Sequence, residues 1–326
     1  MLAAVPHWTP RTSGVTARLR GVSAANARVV WASGTQGTIL RTADGGNTWM
    51  RVSIPGAEQL DFRDIDAVGE RTAYALSIGA GEASRIYKTT DAGAHWQAQF
   101  TNHDPQAFFD AMAFWNASRG LAVSDSVDGA FVIAATTDGG AHWTRIPASS
   151  LPPALPNEGA FAGSGTNIAV LEPNHAWIGT GASTRSRVLR TSDGGRTWAV
   201  SDTPLTTSAS AGIFSVAFRD AQHGVVVGGD YRKETDATGV AAITRDGGVT
   251  WTAVAGLGGF RSVVAHVPGS TTSWVAAGPS GADVSTDDGR TWMPIPGDGY
   301  HAFAFAPHSK VGWGVGEHGR IGRLDW

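Results

Sequence analysis

Apolar residues in this chain fall in short runs that Gly, Ser, Asn and Asp interrupt. Residues 29–33, 38–41, 73–78, 85–88, 188–190 and 224–227 are the clearest, each rich in β-branched or aromatic side chains. Runs of this length between turn residues predict short strands. No segment repeats apolar residues at i, i+3, i+4 and i+7 far enough to predict a long helix. The pattern reads as all-β.

One turn recurs between these runs. It reads Thr42-Ala-Asp44-Gly-Gly46-Asn-Thr-Trp49, and five further copies place their aspartates at Asp91, Asp138, Asp193, Asp246 and Asp287. The shared pattern is S/T-x-D-x-G-x-(T/H)-W. A carboxylate at the third position can accept the N–H groups of its own turn, and the glycine two residues on tolerates positive φ. The closing tryptophan buries a large ring that anchors the hairpin. The six aspartates are therefore assigned a structural role.

Spacing turns the repeat into an architecture. Successive tryptophans of the six turns lie 47, 47, 55, 53 and 41 residues apart. A period of that size in a chain with 43 glycines and no helical pattern predicts four-stranded propeller blades. His7-Trp8 resembles the end of another turn and stands 41 residues before Trp49. The 34 residues after Trp292 supply three strands, near 302–306, 311–315 and 320–324, but no turn of this kind. The expectation is a single domain over residues 1–326. It is a seven-bladed β-propeller of four-stranded antiparallel blades, with the N-terminal strand joining the last blade as its outer strand.

Charge and composition narrow the partners. A net charge of −3 and a pI near 6.3 argue against nucleic acid, which calls for a basic surface. No apolar run is long enough for a transmembrane segment. The absence of cysteine excludes disulfide and thiolate chemistry. Met1-Leu-Ala-Ala-Val lacks the charged and apolar parts of a secretory signal, and is read as the remnant of a trimmed one. A periplasmic or secreted bacterial monomer is expected, with no cofactor and no metal.

Two phrases carry a family resemblance. Phe218-Arg-Asp220-Ala-Gln-His-Gly224-Val-Val-Val-Gly228 precedes the turn Thr244-Arg-Asp246-Gly-Gly248-Val-Thr-Trp251, and Gly312-Trp-Gly-Val-Gly316-Glu-His-Gly319-Arg-Ile repeats the form near the C-terminus. The chain resembles the Asp-box, or BNR-repeat, propellers: sialidases, xyloglucan-cleaving hydrolases, sortilin-type receptors and photosystem II assembly-factor-like proteins. It is most similar in these phrases to the last group and its bacterial relatives. The resemblance covers the whole chain and implies the fold. It implies function less strongly, because the box is a structural turn found on proteins of unrelated activity. Members of the last group assist assembly by binding proteins.

Propeller topology indicates where a site would form. The boxes lie on one face, and the loops leading into the inner strands gather around a funnel on the other. Seven pairs align at those approaches: Leu19-Arg20, Phe62-Arg63, Phe109-Asp110, Phe161-Ala162, Phe214-Ser215, Phe260-Arg261 and Tyr300-His301. The first members read as packing between blades. The second members predict a ring at the funnel mouth, in which Arg20, Arg63, Asp110, Arg261 and His301 are the ligand-binding candidates. Converging arginines repel one another unless an anion or an acidic neighbour compensates. An anionic ligand and internal pairing with Asp64 and Asp110 both remain open at this point.

Three longer loops on the same face hold further candidates. Residues 124–129 carry Asp125 and Asp128, residues 229–236 carry Asp230 and Tyr231, and residues 151–165 carry Glu158. A sialidase-like site would need an arginine triad, a tyrosine nucleophile with a glutamate, and an acid–base aspartate. Arg20, Arg63 and Arg261 with Tyr231, Glu158 and Asp125 fill that list, although the sialidase arginine signature is missing. A xyloglucanase-like site would need two carboxylates across a cleft, with Asp125 and Asp230 as candidates. The favoured expectation is a non-enzymatic binding or assembly-factor-like propeller whose funnel takes a protein or an anionic small molecule or glycan. The alternative is a glycan-active hydrolase or lyase using Asp125, Glu158, Asp230 and Tyr231.

Overall fold

Seven four-stranded antiparallel sheets form a ring in the computed structural model, which describes residues 6–326. The opening pentapeptide read as a trimmed signal lies outside the described residues. The innermost strands of blades 1 to 7 are Leu19–Ala24, Asp61–Ala67, Phe109–Phe114, Ile168–Leu171, Ala211–Phe218, Val263–His266 and Ala302–Phe305. Each lies against the innermost strand of the next blade, and blade 7 lies against blade 1. Blades 1 to 6 use four consecutive strands. Blade 7 takes its outer strand, His7–Arg11, from the other end of the described chain. That strand pairs antiparallel with Ile321–Asp325, Trp8 opposite Leu324. Closure leaves no open edge between first and last blades.

The core is divided among the junctions between blades. Trp31 and Ile39 of blade 1 pack with Phe62 and Ile65 of blade 2. Leu121 and Ile133 of blade 3 meet Ile178 and Leu189 of blade 4. The same arrangement closes the ring, where Leu19 and Leu40 meet Trp313 and Ile321. Burying one such side chain contributes on the order of 2 kcal/mol, so the closing junction matters as much as the others.

The box tryptophans have a shared direction. Each reaches back into the junction with the preceding blade: Trp49 joins the blade 7–1 cluster, Trp96 the 1–2 cluster, Trp198 the 3–4 cluster and Trp292 the 5–6 cluster. Trp8 fills the corresponding place at the blade 6–7 junction. His7-Trp8 therefore serves as the seventh tryptophan of the series without a complete box before it.

The box itself is a carboxylate-centred turn. Asp193 Oδ1 accepts the N–H of Thr197 at 3.0 Å and the hydroxyl of Thr191 at 2.8 Å, while its Oδ2 accepts the Thr197 hydroxyl at 2.7 Å. Thr191 Oγ1 in turn accepts the Gly195 N–H at 3.1 Å. The same bonds recur around Asp44, Asp246 and Asp287, and a histidine ring replaces the threonine hydroxyl at Asp91 and Asp138. The box glycine is required twice over. Gly46 has φ 87°, and a Cβ there would meet Trp313 Nε1 at 2.8 Å.

Candidate functional site

Backbone bulges aim the first funnel residues. In blade 1, Leu19 pairs with Gly34 and Gly21 with Ser33, so Arg20 is an extra residue in the ladder. The same shift frees Arg63 in blade 2 and Asp110 in blade 3. A bulge re-aims a side chain that regular pairing would commit to a sheet face. Asp125 belongs to a second irregularity, between Val123 and Ser126 on the strand paired with the Asp110 strand.

The ring alignment needs correction in three blades. In blade 5 the bulge falls between Ile213 and Ser215, so Phe214 takes the funnel position and Ile213 the packing one. In blade 6, Ser262 lines the funnel. Arg261 instead occupies the buried position beside it. Its Nε donates to Asp283 Oδ2 at 2.6 Å and its Nη1 to Ser280 Oγ at 3.1 Å. A buried guanidinium needs a buried partner, and Asp283 on the same blade supplies one. In blade 4 the inner strand starts only at Ile168, so Phe161-Ala162 belongs to the long loop before it.

That loop crosses the funnel and is held there by charged side chains of other blades. Arg20 Nε donates to Gly163 O at 3.0 Å, and Arg63 Nη1 donates to Ala162 O at 3.1 Å. Asp125 Oδ1 accepts the Ala160 N–H at 2.9 Å, and Asp110 accepts a backbone bond from Ala162. Gly159 lies so close to Asp125 that a Cβ would collide with the carboxylate. Above this strap lies a cavity of about 830 Å³, whose wall includes Arg20, Arg63, Asp110, Asp125, Tyr231 and His301. Phe108, Phe161, Phe214 and Phe260 add an aromatic shelf.

Charge is segregated around this cavity. Arg20 is desolvated, and burial, helped by neighbouring Arg63 and Arg18, pulls its guanidinium down to about 9. Among the described residues no carboxylate forms an ion pair with it, whereas Arg63 pairs with Asp61 at 3.0 Å. Burial also lowers His301 to about 4, assisted by the Arg20 charge, so the ring is neutral at pH 7. Its Nε2 lies 2.8 Å from Glu317 Oε1, and Glu317 also pairs with Arg18 at 2.8 Å. In blade 3 burial raises Asp125 to about 6. Asp110 is raised well above the usual carboxylate range by burial and by Asp125.

The enzyme candidates do not gather. Glu158 reaches the cavity wall through its backbone neighbourhood, but its side chain is buried against Arg187, whose Nε donates at 2.9 Å, and Thr180, whose hydroxyl donates at 2.6 Å. Asp230 stands at the end of its strand, off the cavity wall, where it accepts the Arg232 N–H at 3.0 Å. Asp128 occupies a tight turn at φ 51°. Asp64 accepts the Met112 N–H at 2.7 Å and pairs with no arginine. Only Asp125 and Tyr231 of the four catalytic candidates present their side chains to the funnel. The sequence marked residues 151–165 as a long loop on the funnel face but did not reveal that it crosses the funnel, and it passed over Arg18 and Glu317. The Glu317 signal was a charged residue in an otherwise short glycine turn.

Comparison with known proteins agrees with this architecture. Residues 6–134, less than half of the chain, match the family model described as photosynthesis system II assembly factor YCF48. The photosystem II assembly lipoprotein Ycf48 of Synechococcus sp. (strain CC9902) is 34% identical over 77 residues, which are 22% of this chain and 20% of that protein. The match thus spans about a fifth of the curated relative. A structure of YCF48 bound to a D1 peptide superposes with a TM-score of 0.68 at 16% identity, covering 99% of this chain and 100% of that one. YCF48 from Cyanidioschyzon merolae gives 0.68 at 18% identity, covering 98% and 99%. The GH74 xyloglucanase from Xanthomonas campestris also gives 0.68, at 14% identity, with 97% of this chain and 53% of that one. The chain is a seven-bladed propeller carrying six Asp-box turns, and over residues 6–134 it resembles the photosystem II assembly-factor family.

Proposed function

We propose that this chain is a non-enzymatic, assembly-factor-like propeller that takes a segment of a partner protein at its funnel. The observation that carries the reading is Arg20: a guanidinium desolvated by burial, with no ion-pair partner among the described residues, on the wall of an aromatic-lined cavity of about 830 Å³. A guanidinium in that setting favours an anionic group, which it holds by charge-assisted hydrogen bonds. Phe108, Phe161, Phe214 and exposed Tyr231 supply apolar area for a neighbouring side chain. The similarity to YCF48, seen elsewhere with a D1 peptide, supports a peptide rather than a small molecule. Similarity to a lipoprotein supports action outside the cytoplasm. Among the described residues no helix is long and apolar enough to cross a membrane.

Binding of fluorescently labelled peptides that end in a free carboxylate, compared with the same peptides ending in a carboxamide, tests the reading. The carboxylate series is expected to bind, to weaken with salt, and to lose binding in Arg20→Gln. Equal affinity of the two series, unaffected by Arg20→Gln, would overturn it.

A further inference from the structure

Blade 3 brings two carboxylates to the funnel that its arginines do not neutralise. Asp110 is only 2% exposed, and its Oδ2 has no hydrogen-bond partner. Asp125 uses Oδ1 for the Ala160 N–H at 2.9 Å. Arg63 is the cation that acts on Asp110, but among the described residues the two form no ion pair; Arg63 Nε donates to Asp61 at 3.0 Å and Nη1 to Ala162 O at 3.1 Å. A buried acceptor without a donor is rare and costly. A second acid beside it adds repulsion.

Both carboxylates line the cavity together with Phe108 and Phe161. Those rings flank the pair in the chain, Phe108 two residues before Asp110 and Phe161 inside the strap that both acids hold. A primary ammonium carries three donors and one positive charge. Its methylene stem packs well against phenyl rings. We infer that Asp110 and Asp125 form a receptor for a primary ammonium, carried by a lysine side chain of the bound protein segment. The funnel then reads a cation on its blade 3 wall and an anion on its blade 1 wall. This inference rests on the funnel reading above and adds the chemistry of the second contact.

Protonation follows from the geometry. Burial raises both acids, so at mildly acidic pH the pair carries protons that an arriving ammonium displaces. Binding is expected to release protons and to tighten as pH rises through about 6, the value reached by Asp125.

The test uses the full chain on an array of octapeptides in which every position is scanned and the C-terminus is a carboxylate or a carboxamide. Selected peptides are remade with norleucine in place of lysine and titrated calorimetrically in two buffers of different ionisation enthalpy. Lysine is expected at one fixed distance from the carboxylate. Norleucine should weaken binding about tenfold, the effect of one charge-assisted hydrogen bond. Asp110→Asn, and independently Asp125→Asn, should erase that preference and the proton release. Carboxylate-dependent binding with no lysine preference would overturn this inference and leave the funnel reading standing. A lysine preference unchanged in both variants would overturn the assignment to these two residues. Failure of every peptide to bind would overturn both readings.

Discussion

Trp8 packs on Tyr300 with ring centroids 4.3 Å apart and planes tilted by 38°, and meets Phe303 edge-on at 5.6 Å. The contact joins the first described strand to the start of the last inner strand. It also explains why the turn series needs no seventh Asp box. The aromatic anchor arrives from the other end of the chain and fills the same junction position as the six box tryptophans.

Removing residues through Trp8 should therefore destabilise the whole ring. The truncation loses the Trp8–Leu324 and His7–Asp325 pairings and the aromatic contact at the blade 6–7 junction. A midpoint falling by about 5 °C or more is expected, since each kcal/mol moves Tm by a few degrees in a domain of this class. Differential scanning calorimetry checks it. A midpoint within about 1 °C of the full chain would mean that closure is not carried by this strand.

Asp193→Ala removes the acceptor of the Thr197 and Arg196 N–H groups and of two hydroxyls. The cost should be on the order of 1–3 kcal/mol. Peptide binding by the folded variant should be unchanged, because the box lies on the face opposite the funnel. Chemical denaturation paired with a peptide titration separates the two quantities. Normal stability with lost binding would give the boxes a functional role.

Repeated turns made the ring legible in the sequence, because each box is local and its Asp, Gly and Trp act within eight residues. Approaches to the inner strands were readable in blades 1 to 3, where Leu19, Phe62 and Phe109 each precede a bulged residue. Blade 5 slipped by one, since Phe214 is itself the bulged residue. In blade 6 the apolar place is taken by Arg261, which its pattern could not reveal without knowing that Asp283 lies opposite. The course of the strap over residues 159–163 was illegible for a different reason. Its contacts are backbone groups held by Arg20, Arg63 and Asp125, which lie 143, 99 and 35 residues away.

Acid–base behaviour should distinguish the interior carboxylates from the box carboxylates. Burial raises Asp64 well above its ordinary value. A raised acid binds its proton more tightly in the folded state, so it contributes stability below its unfolded value near 4 and loses that contribution as pH rises. Asp44, pulled down to about 2 chiefly by the Thr48 hydroxyl and N–H, behaves oppositely and loses its contribution as pH falls towards 2. Asp64→Asn removes only the first effect. Its midpoint relative to the parent should rise as pH is raised from about 4. Thermal melts at a series of pH values check the sign. A difference that does not change with pH would show that Asp64 titrates alike in folded and unfolded chains.

Two funnel-face arginines should respond in opposite ways to the same substitution. Arg261 is paired with Asp283 at 2.6 Å, and both side chains are buried, 3% and 2% exposed. Arg261→Gln leaves Asp283 as an uncompensated buried charge, with an expected loss of about 3–5 kcal/mol. Its guanidinium does not line the cavity, so binding to the surviving folded protein should hold. Arg20 has no such partner. Replacing it removes a desolvated cation beside Arg63 and Arg18, at the expense of one bond to Gly163 O. Repulsion relieved and a bond lost are of similar size, about 1 kcal/mol. The midpoint of Arg20→Gln should therefore stay close to that of the parent while carboxylate-dependent peptide binding disappears. Measuring Tm and peptide affinity for both variants decides the matter. A stable Arg261→Gln that no longer binds, beside an unstable Arg20→Gln that does, would exchange the two roles and place the anion contact in blade 6.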